Sequence, residues 1–200
     1  MNKVVFASST SRVASSVVER LVYTEDVGGS NPSPPTVKSK LCNMATTGNF
    51  SGAQILRDEE SAVLKSFDNK VALQIGERAV ALGLERSLPM AISIRIGDWE
   101  IFKASLPGST IENDGWIQRK ANVVNLTHHS TMHERVLAEE TGSDWHLQHG
   151  VEDATHAIHG GGFPIKTADG GFQGVIVISG LPQVEDHLFA LEILRYFSNF

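Results

Sequence analysis

The stretch "AISIRIGDWEIFKASLPG", residues 91–108, decides the fold. Ile92, Ile94 and Ile96 alternate with Ala91, Ser93 and Arg95, which is the two-residue period of a strand. Gly97-Asp98 predicts a tight turn, "WEIFKASL" returns as the partner strand, and Pro107-Gly108 ends the hairpin. Before the hairpin the period is helical. "SGAQILRDEESAVL" (51–64) opens on a cap-like Ser51 and predicts a helix running into a short strand through Phe67. Asp68 caps a second helix, in which Val71, Ile75, Ala79 and Leu82 share one face and Gly83 closes the run.

After the hairpin, "ENDGWIQRKANVVNLTHHSTMHERVLAEETG" (112–142) is polar with spaced apolar residues, hence one or two helices ending at Gly142. A second hairpin follows, with "GFPIKT" (162–167) and "FQGVIVISG" (172–180) on either side of a Gly-rich turn. Val175 to Ile178 is apolar on both faces, so it predicts a buried central strand. Pro182 suits the first turn of a last helix, with Glu185 and Asp186 at its positive end. Val184, Leu188, Leu191 and Leu194 are the expected core stripe of that helix. Two hairpins joined through helices define an α+β domain with an antiparallel sheet, not a dinucleotide-binding fold.

Length and charge narrow the function classes. Two hundred residues are enough for one domain with a sizeable core. A net charge of −6 argues against a nucleic-acid partner, and no apolar run is long enough for a membrane span. The single cysteine, Cys42, excludes a disulfide framework and a thiolate zinc cluster, and fits a cytoplasmic location.

The chain changes character near Met44. Residues 1–43 hold Lys3, Arg12, Arg20, Lys38 and Lys40 against Glu19, Glu25 and Asp26, and are rich in Ser, Val, Gly and Pro. Composition predicts a disordered extension. A sharper reading is a spurious one. "SSVVER" (15–20) can be encoded by AGC TCA GTG GTA GAG CGC, a transfer-RNA D-arm, and "GSNP" (29–32) by GGT TCG AAT CCC, the T-arm consensus. The expected domain is therefore 44–200, with a start at Met44. Acidic residues in the leading segment weaken a transit-peptide reading.

All eight histidines (128, 129, 133, 146, 149, 156, 159 and 187) lie in the second half. His129 and His133 are four apart on an expected helix, a spacing that lets both face one metal, although "HHSTMHE" is not the zinc-peptidase arrangement. Most histidines are expected to be surface or hydrogen-bonding groups. Gly160-Gly161-Gly162 is either an anion cradle or, more simply, a backbone bend before a strand. Asp186 and His187 are adjacent on a helix, so they point in different directions. Trp116, Arg119 and Lys120 share a helix face, a set suited to a planar anionic ligand or to a subunit interface.

Five motifs in order carry a family resemblance: "SLPGST" (105–110), "NDGWIQRK" (113–120), "HHST" (128–131), "HGGGFPI" (159–165) and "VISGLPQVEDH" (177–187). Over roughly residues 52–198 the chain resembles the UPF0303 family, related to the haem-degrading-domain (GlcG/HbpS-like, DUF336) proteins. The resemblance implies a profilin-like α+β layout and homo-oligomers, with haem or iron bound by some of the wider superfamily. The matching positions are Trp116, Arg119, Lys120, His129, His159, Asp186 and His187, with no catalytic role assigned to any. The segment 131–153 is longer than in the family pattern, and the glycine run has one extra residue.

Two main readings follow. One is a haem- or tetrapyrrole-binding protein that assists haem degradation or iron handling. Here Trp116 stacks on the ring, Arg119 and Lys120 hold carboxylates, and His129 or His159 approaches the metal. The other is a non-enzymatic homo-oligomeric adaptor in a cytosolic protein-handling pathway. A third, with less behind it, is an enzyme acting on a small anionic ligand at His159, Asp186 and His187.

Overall fold

The computed structural model describes residues 47–199, and the expectation for residues 1–43 lies outside them. Helix α1 (Gly52–Glu60) is capped by the Ser51 side chain, which accepts the Gln54 N–H, and α2 (Asn69–Glu85) by Asp68, which accepts the Val71 N–H. Strands β1 (Ala91–Ile96) and β2 (Trp99–Ser105) form the first hairpin. Helices α3 (Glu112–Thr127) and α4 (Thr131–Thr141) follow, and Gly142 closes α4 in the left-handed conformation. A short helix α5 (Trp145–His149) precedes β3 (Gly162–Thr167), β4 (Gly171–Ser179) and α6 (Gln183–Ser198).

The sheet is antiparallel throughout, in the order β2-β1-β4-β3. Its two hairpins therefore lie side by side, with β1 and β4 at the centre. Pairing of Ile92 with Ile178 and Ile94 with Ile176 sends these four side chains to one face. There they meet Ile75, Ala79 and Leu82 of α2 and Ala190, Leu191 and Leu194 of α6. The opposite face, Ala91, Val175 and Val177, packs on Ile117, Ala121 and Val124 of α3. Each fully buried Ile or Leu contributes about 1.5–3 kcal/mol, so both helical layers are held by the same strands. Among the described residues no helix is long and apolar enough to cross a membrane.

Four local expectations change. The short strand before Phe67 is a single parallel bridge, Leu64 to Thr167, because the chain meets the edge of β3 for only one residue. Gly83 does not end α2, which runs to Glu85. A Cβ on Gly83 would lie 2.4 Å from Leu106 Cδ1 and 2.7 Å from Met90 Cε, so the glycine serves close packing. On α6, Leu188 is 43% exposed, and the buried face instead runs through His187, Ala190, Leu191 and Leu194. A buried histidine at the first position of that face hides the true register from a hydropathy reading. Helix α5 was not expected from the polar sequence around it.

Candidate functional site

Helix α3 lies across β4, and this placement splits the Trp116–Arg119–Lys120 set. The Arg119 guanidinium sits 4.5 Å from the centre of the Trp116 ring and donates through Nε to the Asp153 carbonyl at 2.7 Å. It also pairs with the exposed Asp153 carboxylate. Lys120 turns inward and is 3% exposed. Its ammonium donates to Asp186 Oδ2 at 2.9 Å and to the Ile178 carbonyl at 3.0 Å. Asp186 Oδ1 accepts the Leu181 N–H at 3.0 Å. Burial pushes the Asp186 carboxyl up and the Lys120 ammonium down, each opposed by the other's charge. The pair ties α3, the end of β4 and the start of α6 into one block.

The glycine run passes through that block. A Cβ on Gly160 would lie 2.2 Å from the Gln183 carbonyl oxygen. On Gly161 it would lie 2.3 Å from the Ile178 carbonyl oxygen and 2.8 Å from Lys120 Nζ, and on Gly162, 2.8 Å from Thr131 Cγ2. Gly161 also has φ +121°, which only glycine adopts freely. The Gly160 N–H is taken by the Gln183 side chain and the Gly162 N–H by Thr131 Oγ1. The run is thus a backbone bend that no side chain fits, as the simpler sequence reading has it, with two of its three donors already used.

His159 enters this bend. Its ring meets Trp116 edge-on, 5.0 Å between centres at 70°. Its Nδ1 is buried and without a partner. Burial, then the charges of Arg135 and Lys120, lower its pKa, so the imidazole is neutral at pH 7. Trp116, Lys120, His159 and Asp186 line one cavity of about 230 Å³ together with residues 179–181 and Gln183. His159 also lines a larger cavity of about 790 Å³.

The other predicted residues lie in different surroundings. His129 Nδ1 is 2.9 Å from Glu59 Oε2, and its ring lies 4.7 Å from that of His133. Glu59 also accepts the Ser130 N–H and pairs with Lys166. Burial alone would raise Glu59, but the hydrogen bonds of His129 and Ser130 and the Lys166 charge bring it down to about 2. His133 turns to Glu134, whose second oxygen accepts the Trp145 indole N–H at 2.7 Å. His129 and His133 are therefore neighbours, each committed to a carboxylate. Among the described residues no group of three or more His, Cys, Asp or Glu is arranged to hold a metal ion. His187 is fully buried between Phe50 and Phe163, away from its neighbour Asp186's cavity-facing pair. His128 stacks on Phe172, while His146 and His149 bond backbone carbonyls. Glu59 and Asp153 escaped sequence reading, since 70 and 34 residues separate them from the partners they hold.

The description "Haem degrading protein HbpS-like" matches residues 67–195, which include every residue of the cavity at Trp116 and His159. The chain belongs to the HbpS-like family. A UPF0303 protein of Brucella anthropi is 40% identical over 139 residues, 68% of this chain and 80% of that one. The crystal structure of Ybr137w protein is similar with a TM-score of 0.70 and 27% identity, covering 81% of this chain and 96% of that one. The PduOC:haem complex shares the fold, with a TM-score of 0.51 and 19% identity over 66% of this HbpS-like chain and 95% of that one.

Proposed function

We propose that the protein binds haem or a related tetrapyrrole where His159 meets Trp116. The carrying observation is His159, a neutral imidazole held edge-on by Trp116, with a buried ring nitrogen that has no protein partner. An imidazole in that state suits an axial iron ligand, and a bound haem would supply redox-active iron. Trp116 offers an aromatic edge, and Arg119 offers a cation to a ring carboxylate, since its present partner Asp153 is exposed to solvent. Lys120 and Asp186 form the floor instead, because each is engaged by the other. The family description supports a haem-related role, and the fold shared with the PduOC:haem complex is consistent with it.

A cavity of about 230 Å³ is smaller than the range that encloses a drug-sized ligand. It admits one edge of a tetrapyrrole, and a second copy of the chain would cover the remainder, in keeping with a homo-oligomer. The single cysteine suits the cytoplasm, where we place the protein. A second reading is an oligomeric adaptor, to which the exposed side chains of Trp99, Ile111 and Leu147 would offer apolar contacts.

The test is a haemin titration of the full chain by absorption spectroscopy, with size-exclusion light scattering beside it. The expected result is a saturable, shifted Soret band, lost in His159→Ala, weakened about tenfold in Trp116→Ala and retained in His129→Ala. A folded protein that gives no saturable shift overturns the haem reading.

A further inference from the structure

The cavity of about 790 Å³ has no part in the reading above, although it borders His159. Its volume lies in the range that takes a small organic ligand. Phe50, Val136, Trp145 and Ile158 give it apolar walls, while Arg135, Glu139, Glu140, Asp144 and Asp153 bring charge. Arg135 neutralises Glu139, and Arg119, from outside the cavity, neutralises Asp153. Among the described residues neither Glu140 nor Asp144 is in an ion pair, so two negative charges remain.

Both carboxylates are held in place by one oxygen. Glu140 Oε1 accepts the Gly52 N–H at 3.0 Å, and Asp144 Oδ1 accepts the Leu147 N–H at 3.0 Å. The second oxygen of each receives no donor from the described residues. Both side chains stand at the solvent-facing rim, whereas Val136, Trp145 and Ile158 are buried. An apolar body can therefore enter while its charged group stays at the rim, where desolvation costs little.

We infer that this cavity binds a small organic cation, a primary ammonium or guanidinium group on an apolar body. The site adjoins the one proposed for haem at His159, but its two carboxylates line this cavity alone, and the inference does not rest on the haem reading. The test is isothermal titration calorimetry of the full chain with phenylethylammonium, phenylacetate and 2-phenylethanol. The expected result is saturable binding of the cation alone, weakened by 0.5 M salt because the charges at the rim are screened. The double variant Glu140→Gln/Asp144→Asn should lower the cation's affinity at least tenfold. These substitutions keep the oxygens that accept from Gly52 and Leu147, and circular dichroism checks that the fold is retained. Equal binding of all three compounds, no saturable binding of the cation, or an affinity indifferent to the double variant would overturn the inference.

Discussion

His187 makes the sharpest test of the packing. Its ring is fully buried, its two nitrogens have no hydrogen-bond partner, and Phe50 and Phe163 lie 5.9 and 5.4 Å away between ring centres. Burial pushes its pKa down to about 4, against weaker opposing charges from Asp58 and Glu59, while Arg195 acts in the same direction as burial. Above pH 6.5 both folded and unfolded chains carry a neutral His187, so pH has no effect through this group. Between pH 6.5 and 4 the unfolded chain binds a proton that the folded chain refuses, and stability falls as pH drops. Below pH 4 the loss levels off. A depression from 6.5 to about 4 corresponds to a total loss of about 3 kcal/mol. The assay is urea unfolding at pH 7, 6, 5 and 4 for the wild type and His187→Leu. The variant should gain about 1 kcal/mol at pH 7, because two buried unpaired nitrogens are removed. The difference between the two proteins should then widen by about 3 kcal/mol on going to pH 4. Parallel pH profiles would refute the burial argument, since every other titrating group is common to both chains.

Lys120→Met should cost about 3–5 kcal/mol in urea unfolding by leaving Asp186 buried and uncompensated. Adding Asp186→Asn should recover about 2 kcal/mol, because the amide is neutral and still accepts the Leu181 N–H. Gly161→Ala should destabilise by on the order of 3 kcal/mol, through positive φ and contact with the Ile178 carbonyl, and should lower the melting temperature while Gly97→Ala, with open space around it, costs less. Glu59 is held at about 2 against an ordinary 4.5, so its contribution is complete above pH 4.5 and is lost as pH falls towards 2. Acid unfolding of Glu59→Gln should lack that part of the decline.

Most of the fold was legible because it is written in local periods. The isoleucine alternation of β1, the apolar run of β4 and the caps at Ser51 and Asp68 all stand where the sequence puts them. The failures are places where a distant element decides. Gly83 resembles a stop signal, yet Leu106 and Met90 require a glycine inside α2. Leu188 fits an apolar stripe, yet the sheet draws the helix round to His187. The site was legible in the same uneven way. Trp116 and Arg119 are neighbours by helix geometry alone. The inward turn of Lys120 depends on which face of α3 the sheet takes, and its partner is 66 residues away.

The buried ion pair also explains why the glycine run and His159 belong to one unit. Replacing a buried pair with apolar groups is often neutral or favourable for stability, so such a pair is poor evidence of stabilisation by itself. Here its position is what matters. A Cβ on Gly161 would lie 2.8 Å from Lys120 Nζ and 2.9 Å from Asp186 Cβ, so the pair, with the Ile178 carbonyl, constrains the path of the bend. The bend sets where His159 leaves the backbone, and Trp116, one turn before Lys120 on the same helix, receives its ring. A change in the pair should therefore move the imidazole without touching it. If His159 holds the ligand as proposed, that coupling would make Lys120 and Asp186 positioning residues for it, through the geometry they impose on His159 rather than through their charge.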